Sequence, residues 1–251
     1  MIQVQDLAYS FMGRSSPPAL EGIRFSLAPG RLLCLAGANG GGKSTLLRLL
    51  AGLSRPSAGT VRVGDVVSPG QERRLREVVG LVMQEADLQI LGSTVEEDVL
   101  LGVPSGDAPA REAALALARR FGLAEVLARP VQALSYGQKR RLCLTTALLG
   151  RRERPSGPLA LFLDEPFAGL DYPASLEMRA LLAANRASGL TQIVAAHDLD
   201  PIIDLADVLA VLQRGRLVIF GPPSQVLDQV AAAGVRPPCS WLAGQGLTPW
   251  E

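Results

Sequence analysis

The chain has 251 residues, of which 48% are hydrophobic and 20% are charged, a composition that fits a soluble globular protein and excludes disordered and fibrous classes. Its 25 basic and 24 acidic residues give a formal charge of +1, so there is no general electrostatic reason to bind nucleic acid. No apolar run approaches the ~20 residues of a membrane-spanning helix, no signal peptide is visible, and three scattered cysteines form no disulfide or zinc pattern, so we expect a reduced, cytoplasmic protein.

Taken in chain order, the apolar patterns predict strands that alternate with helices. The predicted strands cover residues 2–12, 22–28, 31–36, 61–63, 66–67, 78–83, 159–163, 192–196, 208–212 and 217–220. The predicted helices cover residues 43–53, 138–149, 173–188 and 223–233. This order predicts an α/β core with one helical insertion. We assign the core to residues 1–84 and 151–222, a helical subdomain to 85–150, and a C-terminal helix and tail to 223–251.

A glycine-rich loop between a buried strand and a helix carries the first site motif. Residues 37–44 fit the phosphate-loop pattern G-x-x-x-x-G-K-[ST] in the context that this motif requires. The glycines let the backbone approach phosphates, and the loop N–H groups and helix N-terminus hold the anion. Lys43, one of only two lysines in the chain, would bridge the β- and γ-phosphates, and Ser44 would ligate Mg²⁺. The predicted nucleotide contacts are Gly37, Asn39, Gly40, Gly41, Gly42, Lys43, Ser44 and Thr45.

A second motif is the apolar strand at 159–163, which ends in the carboxylate pair Asp164-Glu165. Such an arrangement places Asp164 beside the Mg²⁺ shell and Glu165 next to the γ-phosphate. We predict that Glu165 is the general base for the attacking water, a role worth ~10²–10⁴ in rate.

A third motif, Leu134-Ser135-Tyr136-Gly137-Gln138, precedes a predicted helix, and Ser135 is a good N-cap. Together with the first two motifs it resembles the LSGGQ signature of ATP-binding cassette (ABC) ATPases. Over about residues 2–222 the chain resembles an ABC nucleotide-binding domain with a P-loop NTPase core, an antiparallel β edge and a helical signature subdomain. The resemblance extends to Gln84 as the Q-loop glutamine, 167–171 as the D-loop, His197 as the switch histidine, and Phe11, or less favourably Tyr9, as the adenine-stacking aromatic.

This resemblance implies a head-to-tail dimer. ATP on the phosphate loop of one protomer is closed over by Ser135, Gly137 and Gln138 of the other, and Asp171 makes a dimer contact. The implied catalytic residues are Glu165, His197 and Gln84, and the implied Mg²⁺ ligands are Ser44, Gln84 and Asp164. The second protomer is either another copy or a paralogue. Tyr136 stands where the signature usually has glycine, the one bulky departure, from which we expect altered packing rather than lost function.

The segment after Gln84 indicates what the ATPase drives. Residues 85–98 contain five acids and no base, and one interpretation is acids that complement a helix N-terminus capped by Thr94. The string also resembles a segment of energy-coupling factor (ECF) importer ATPases, in which it holds coupling helices of the transmembrane subunit. The tail at 233–243 resembles the cobalt-uptake members of that group.

The resemblance therefore implies the ATPase subunit of an importer for cobalt, nickel or a vitamin, peripheral on the cytoplasmic face of the membrane. It contacts the transmembrane subunit through residues 84–100 and the substrate-capture subunit indirectly. Reversal of the acids at 96–98 to lysine should then uncouple transport and leave soluble ATPase activity. Two alternatives stay open: a soluble ABC ATPase in a role such as iron–sulfur assembly, and a P-loop kinase, which the signature and His197 disfavour.

Overall fold

The computed structural model describes residues 1–11, 18–149 and 157–250, which form two β-sheets with helices around them. The strands are β1 (Ile2–Tyr9), β2 (Leu20–Leu27), β3 (Leu32–Ala36), β4 (Ala58–Val63), β5 (Val66–Ser68), β6 (Val79–Val82), β7 (Ala160–Asp164), β8 (Thr191–Ala196), β9 (Val208–Gln213) and β10 (Arg216–Gly221). The helices are α1 (Lys43–Leu50), α2 (Glu72–Val78), α3 (Val95–Leu100), α4 (Ala108–Arg120), α5 (Tyr136–Leu148), α6 (Tyr172–Ala187), α7 (Pro223–Val226) and α8 (Cys239–Leu242). The predicted α/β class is confirmed.

The larger sheet has the strand order β10-β9-β3-β8-β7-β6, and its central strands run parallel. Every residue of β3, β7 and β8 is buried, as expected for parallel strands covered on both faces. Because β6, β7, β8 and β3 are parallel neighbours, their carboxyl ends lie along one edge of the sheet. Ligand sites of parallel α/β sheets occur at this edge.

The smaller sheet is antiparallel, with the order β2-β1-β4-β5, and it corresponds to the predicted antiparallel edge. Its inward side chains share one hydrophobic cluster with α1 and with one face of the larger sheet. Leu46, Leu47 and Leu50 of α1 belong to that cluster. Burial of this apolar face fixes α1, and therefore the loop before it, against both sheets.

A separate hydrophobic cluster holds the helical region between β6 and β7. It joins α3, α4 and the middle of α5, with Val99, Ala118 and Leu142 almost completely buried. The predicted division into core and subdomain stays a prediction, and its boundary at 150/151 lies outside the described residues. Among the described residues, no helix is long and apolar enough to cross a lipid bilayer.

Some predicted boundaries are wrong. The strand predicted at 2–12 ends at Tyr9, and position 12 lies outside the described residues. The helix predicted at 43–53 ends at Leu50, and Gly52 has a left-handed backbone with φ +70°, a common way for a helix to end. The helix predicted at 223–233 is only α7 followed by a 3₁₀ turn at Leu227–Gln229. The apolar spacing there indicates only which residues are buried against the core. A short helix followed by a 3₁₀ turn buries those residues as well as a continuous helix does.

Candidate functional site

Four of the predicted site segments follow four neighbouring parallel strands. The phosphate loop follows β3, Gln84 lies just beyond β6, Asp164 ends β7 with Glu165 directly after it, and His197 follows β8. The topology therefore brings together segments that are far apart in the sequence. The register of the parallel strands, for example the pairing of Asp164 with Ala195, determines which residues of each segment lie side by side at this edge of the sheet.

The phosphate loop uses glycine where the fold leaves no room for a side chain. A Cβ at Gly37 would lie 2.3 Å from the Leu212 carbonyl oxygen, and one at Gly42 would lie 2.7 Å from Leu20 Cδ2. Both residues also have positive φ, +149° and +106°, which side-chain-bearing residues rarely adopt. Gly42 is the N-cap of α1, so the loop ends at a helix N-terminus, which is a favourable place for an anion.

Lys43 lies inside this loop and is only 6% exposed. Its Nζ donates to the Gly37 carbonyl oxygen at 2.7 Å and lies 3.5 Å from Glu165 Oε1. Burial of an ammonium group requires partners of this kind. The contacts join the phosphate loop to the carboxylate pair after β7, as the two sequence motifs predict.

Glu165 also contacts His197. Oε2 of Glu165 lies 2.7 Å from Nδ1 of His197 and accepts a hydrogen bond from the His197 backbone N–H at 3.3 Å. Glu165 is buried and has a left-handed backbone with φ +50°, a costly conformation for a residue that is not glycine and one that concentrates at functional sites. The two carboxylate oxygens therefore have different partners, Lys43 on one and His197 on the other.

The predicted magnesium ligands line one small cavity. Ser44, Gln84 and Asp164 all border a space of about 90 Å³. Burial raises the pKa of Asp164, and the Ser44 hydroxyl partly offsets this rise. Among the described residues, Oδ1 of Asp164 is buried without a hydrogen-bond partner. A buried, unpaired carboxylate oxygen beside a hydroxyl and an amide fits the oxygen-rich surroundings that Mg²⁺ prefers.

The signature segment lies apart from this cavity. Ser135 is the N-cap of α5 and forms a capping box with Gln138, which confirms the predicted cap. Gly137 lines a different cavity of about 340 Å³ between α5 and α6. The remaining predicted contacts are peripheral: Asp171 is the N-cap of α6, and Phe11 is 64% exposed with its ring edge-on to Tyr9. Gly40, Asn39 and Thr45 lie in or beside the phosphate loop as the motif requires.

Arg140 is a site residue that the sequence motifs do not identify. It lies one helical turn after Tyr136, is 2% exposed, and donates to the carbonyl oxygens of Met83, Gln84 and Glu165. It thereby joins α5 to the segments after β6 and β7. The one available signal is a charged residue on the apolar face of α5, but its partners are backbone groups, which no sequence pattern reveals.

A phosphate loop after β3, an acidic pair at the end of β7, and a histidine that follows the intervening strand β8 and contacts Glu165 define a P-loop nucleoside triphosphatase. Comparison with known proteins gives the family. The sequence model described as ABC transporter matches residues 20–168, more than half of the chain. The cobalt import ATP-binding protein CbiO of Rhodobacter capsulatus is 36% identical over 95% of this chain and 85% of its own length. The nickel import ATP-binding protein NikO of the same organism is 35% identical over 91% and 92%.

Structural comparison agrees with this result. The structure of cbiO1 from Clostridium perfringens, described as part of the ABC transporter complex cbiONQ, matches with a TM-score of 0.75 and 30% identity over 92% of each chain. A dimeric ATP-binding cassette bound to ADP and phosphate has the same fold, with a TM-score of 0.76 at 23% identity over 88% of this chain and 98% of that one. The chain therefore belongs to the ABC transporter family. Within it, the chain is an ATP-binding subunit with ATPase activity, and the resemblance to the cobalt-uptake type is confirmed.

Proposed function

We propose that this chain is the ATP-hydrolysing subunit of an ECF-type importer of a transition-metal ion, cobalt or nickel. It works as an ATP-closed dimer at the cytoplasmic face of the membrane and docks to a transmembrane subunit through residues 84–100. The names of the relatives, which are cobalt and nickel import proteins, support a transition-metal ion as the transported solute. A vitamin is the second candidate class of solute. Because one chain carries every site motif, two copies form two competent sites.

The contacts of Glu165 support its proposed role as general base. Its buried carboxylate has a cation on one oxygen and His197 on the other, so the group is held in a fixed orientation, as a general base requires. Lys43 and the loop N–H groups would stabilise charge on the phosphate oxygens. His197 would orient the carboxylate and contact the γ-phosphate.

Ser44, Gln84 and Asp164 would hold the metal ion, since they share the cavity and Asp164 offers an unpaired oxygen. When bound, Mg²⁺ neutralises charge on the phosphate oxygens. Gln84 also immediately precedes the acidic segment at residues 85–98. Its carbonyl oxygen accepts a hydrogen bond from Arg140 at 2.9 Å, so its backbone is fixed to α5.

Four of the five acids in residues 85–98 have partners: two hold the start of α3, and two pair with basic side chains. Asp98 is 5% exposed and accepts hydrogen bonds from the N–H groups of Leu91 and Gly92 at 2.8 and 2.9 Å. Glu97 completes the capping box of Thr94, which confirms that cap. Glu96 is paired with Arg111, and Asp87 with Lys139. The reversal of 96–98 to lysine is therefore a poor test of docking, because two of its three acids hold the start of α3.

The observation that carries the docking proposal is an exposed apolar surface next to an acid. Leu88 and Leu91 are 61% and 81% exposed, and the exposed carboxylate of Glu85 precedes them in the same segment. Such a surface fits an amphipathic helix with basic residues. Because Glu85 and Leu88 also line the cavity of Ser44 and Asp164, a helix docked here lies close to the nucleotide site.

Affinity purification tests this proposal. Tagged wild-type chain is purified from detergent-solubilised membranes of its source organism, beside Leu91→Glu and a control, Leu53→Glu. Leu53 is also half-exposed but lies just beyond the end of α1 that is remote from the phosphate loop. We expect wild type and control to retain a polytopic membrane protein, which Leu91→Glu loses because a charge enters an apolar contact. Circular dichroism checks that all three proteins fold.

The identity of the partners decides between the open alternatives. A membrane subunit with basic cytoplasmic helices supports the importer, and the capture subunit beside it names the solute. Recovery with soluble partners only would contradict the importer and favour an ABC ATPase with an assembly role. Retention of the membrane partner by Leu91→Glu would show that the docking surface lies elsewhere.

A further inference from the structure

Tyr136 makes a bond that a glycine at this position of the signature cannot make. Its hydroxyl donates to the Ala168 carbonyl oxygen at 3.1 Å. Ala168 lies in the loop between Glu165 and Asp171. The ring covers Gly169 in the same loop, where an added Cβ would lie 3.4 Å from Tyr136 Cε1. The start of α5 is thereby joined to the loop that precedes α6.

Arg140 also contacts the ring of Tyr136. Its Cζ lies 5.8 Å from the centroid of the Tyr136 ring, within the range of a cation–π interaction. The same guanidinium donates to the carbonyl oxygens of Gln84 at 2.9 Å and of Glu165. Because Arg140 is almost completely buried, the position of its guanidinium is determined by these contacts.

We propose that Tyr136 is a positioning residue that fixes the signature Ser135 relative to the loop ending at Asp171, with Arg140 as the buried anchor of its ring. Ser135 and Asp171 are the N-caps of α5 and α6, and the phenol bridges the segments beside these two caps. The inference rests on the proposed dimer closure, in which both segments contact the partner copy. Because the two segments are already held in one arrangement, they lose less conformational entropy when they bind that copy.

This role predicts an effect on closure and turnover that spares nucleotide binding. Tyr136 touches neither the phosphate loop nor the side chain of Glu165 in its described contacts. ADP occupies the chain's own phosphate loop and lacks the γ-phosphate that Ser135 of the partner would contact. A loss of alignment should therefore lower kcat and leave the Kd for ADP unchanged.

The test uses Tyr136→Phe, which removes the hydroxyl and keeps the ring, and Tyr136→Gly, which removes both. Tyr172→Phe is the matched control, since the Tyr172 side chain is also exposed and its hydroxyl makes no hydrogen bond among the described residues. We expect kcat of Tyr136→Phe to fall about two- to tenfold, the value of one hydrogen bond, and kcat of Tyr136→Gly to fall further. The Kd for ADP should stay at the wild-type value in both, whereas the Tm without nucleotide should fall by a few degrees, because the lost bond is already present in the free chain.

Three results would overturn the inference. The first is a wild-type kcat in Tyr136→Phe and Tyr136→Gly. The second is a fall in ADP affinity that matches the fall in kcat, because this would indicate general packing. The third is a Glu165→Gln chain that forms no dimer with ATP, which removes the proposed function and this inference together. The first two leave ATP-dependent dimerisation of the Glu165→Gln chain intact, so the two failures are distinguishable.

Discussion

At the level of single residues, Glu165 combines burial, a strained backbone and two different partners on its carboxylate oxygens. If it is the general base, Glu165→Gln keeps the size of the side chain and loses the ability to accept a proton. We expect ATPase activity to fall by about 10²–10⁴, with ATP affinity retained. Glu125→Gln, an exposed glutamate of the helical region, is the control. Equal activity of Glu165→Gln and wild type in a phosphate-release assay would exclude the role.

The sequence predicts such residues well when their chemistry depends on side-chain type and spacing. Lys43 and Glu165 are predicted from two separate motifs and His197 from the family resemblance, and the structure brings them into contact. Arg140 could not be predicted, because its partners are backbone carbonyl oxygens of residues more than twenty positions away. Its role depends on how α5 packs against β6 and β7, which local periodicity does not determine.

At the level of elements, the short helix α3 depends on an acid that the sequence suggests is a docking group. Asp98→Ala leaves the N–H groups of Leu91 and Gly92 without their acceptor, a loss of about 1–3 kcal/mol of stability for two hydrogen bonds to a charged acceptor. Glu85→Ala, at an exposed acid of the same segment, should leave stability within about 0.5 kcal/mol of wild type. Urea unfolding measures both. Equal stability of the two variants would mean that Asp98 is not structural.

A second element-scale prediction concerns Asp207, which ties β3 and α6 to the start of β9. Burial by itself would raise the pKa of Asp207, but the Leu32 N–H and the guanidinium groups of Arg186 and Arg31 outweigh it and hold that pKa below its ordinary value. A depressed pKa in the folded state adds stability above the unfolded-state pKa of about 3.9, and this stability is lost as the pH falls through the folded-state pKa.

Asp207→Asn should therefore cost about 1–3 kcal/mol of unfolding free energy at pH 7, and the difference from wild type should shrink below about pH 4. Urea midpoints over a pH series measure it. Asp228→Asn serves as a control, since its carboxylate accepts a hydrogen bond from Trp241 and has no Arg or Lys partner among the described residues. A stability difference that is constant over the whole pH series would contradict the ionic account.

At the level of the whole molecule, the order of strands and helices in the sequence predicts the α/β class, because continuous apolar strands and periodic helices report burial directly. The order of strands within the larger sheet does not follow from these patterns. It places β3 between β9 and β8, and this crossover brings the phosphate loop beside His197. Pairing between distant strands depends on the packing of the complete core, for which a single sequence gives no local signal.

The central claim also concerns the whole molecule: two copies of the chain form a closed dimer when they bind ATP. Ser135 is exposed and lies outside the cavity that Ser44 and Asp164 line, so it is available to a partner. The most direct measurement is sedimentation of the Glu165→Gln chain with Mg²⁺ and either ATP or ADP. We predict a dimer with ATP, a monomer with ADP, and loss of the ATP dimer when Ser135→Arg is added. A monomer in the presence of ATP, or an ATP dimer that persists in the Ser135→Arg variant, would contradict the account.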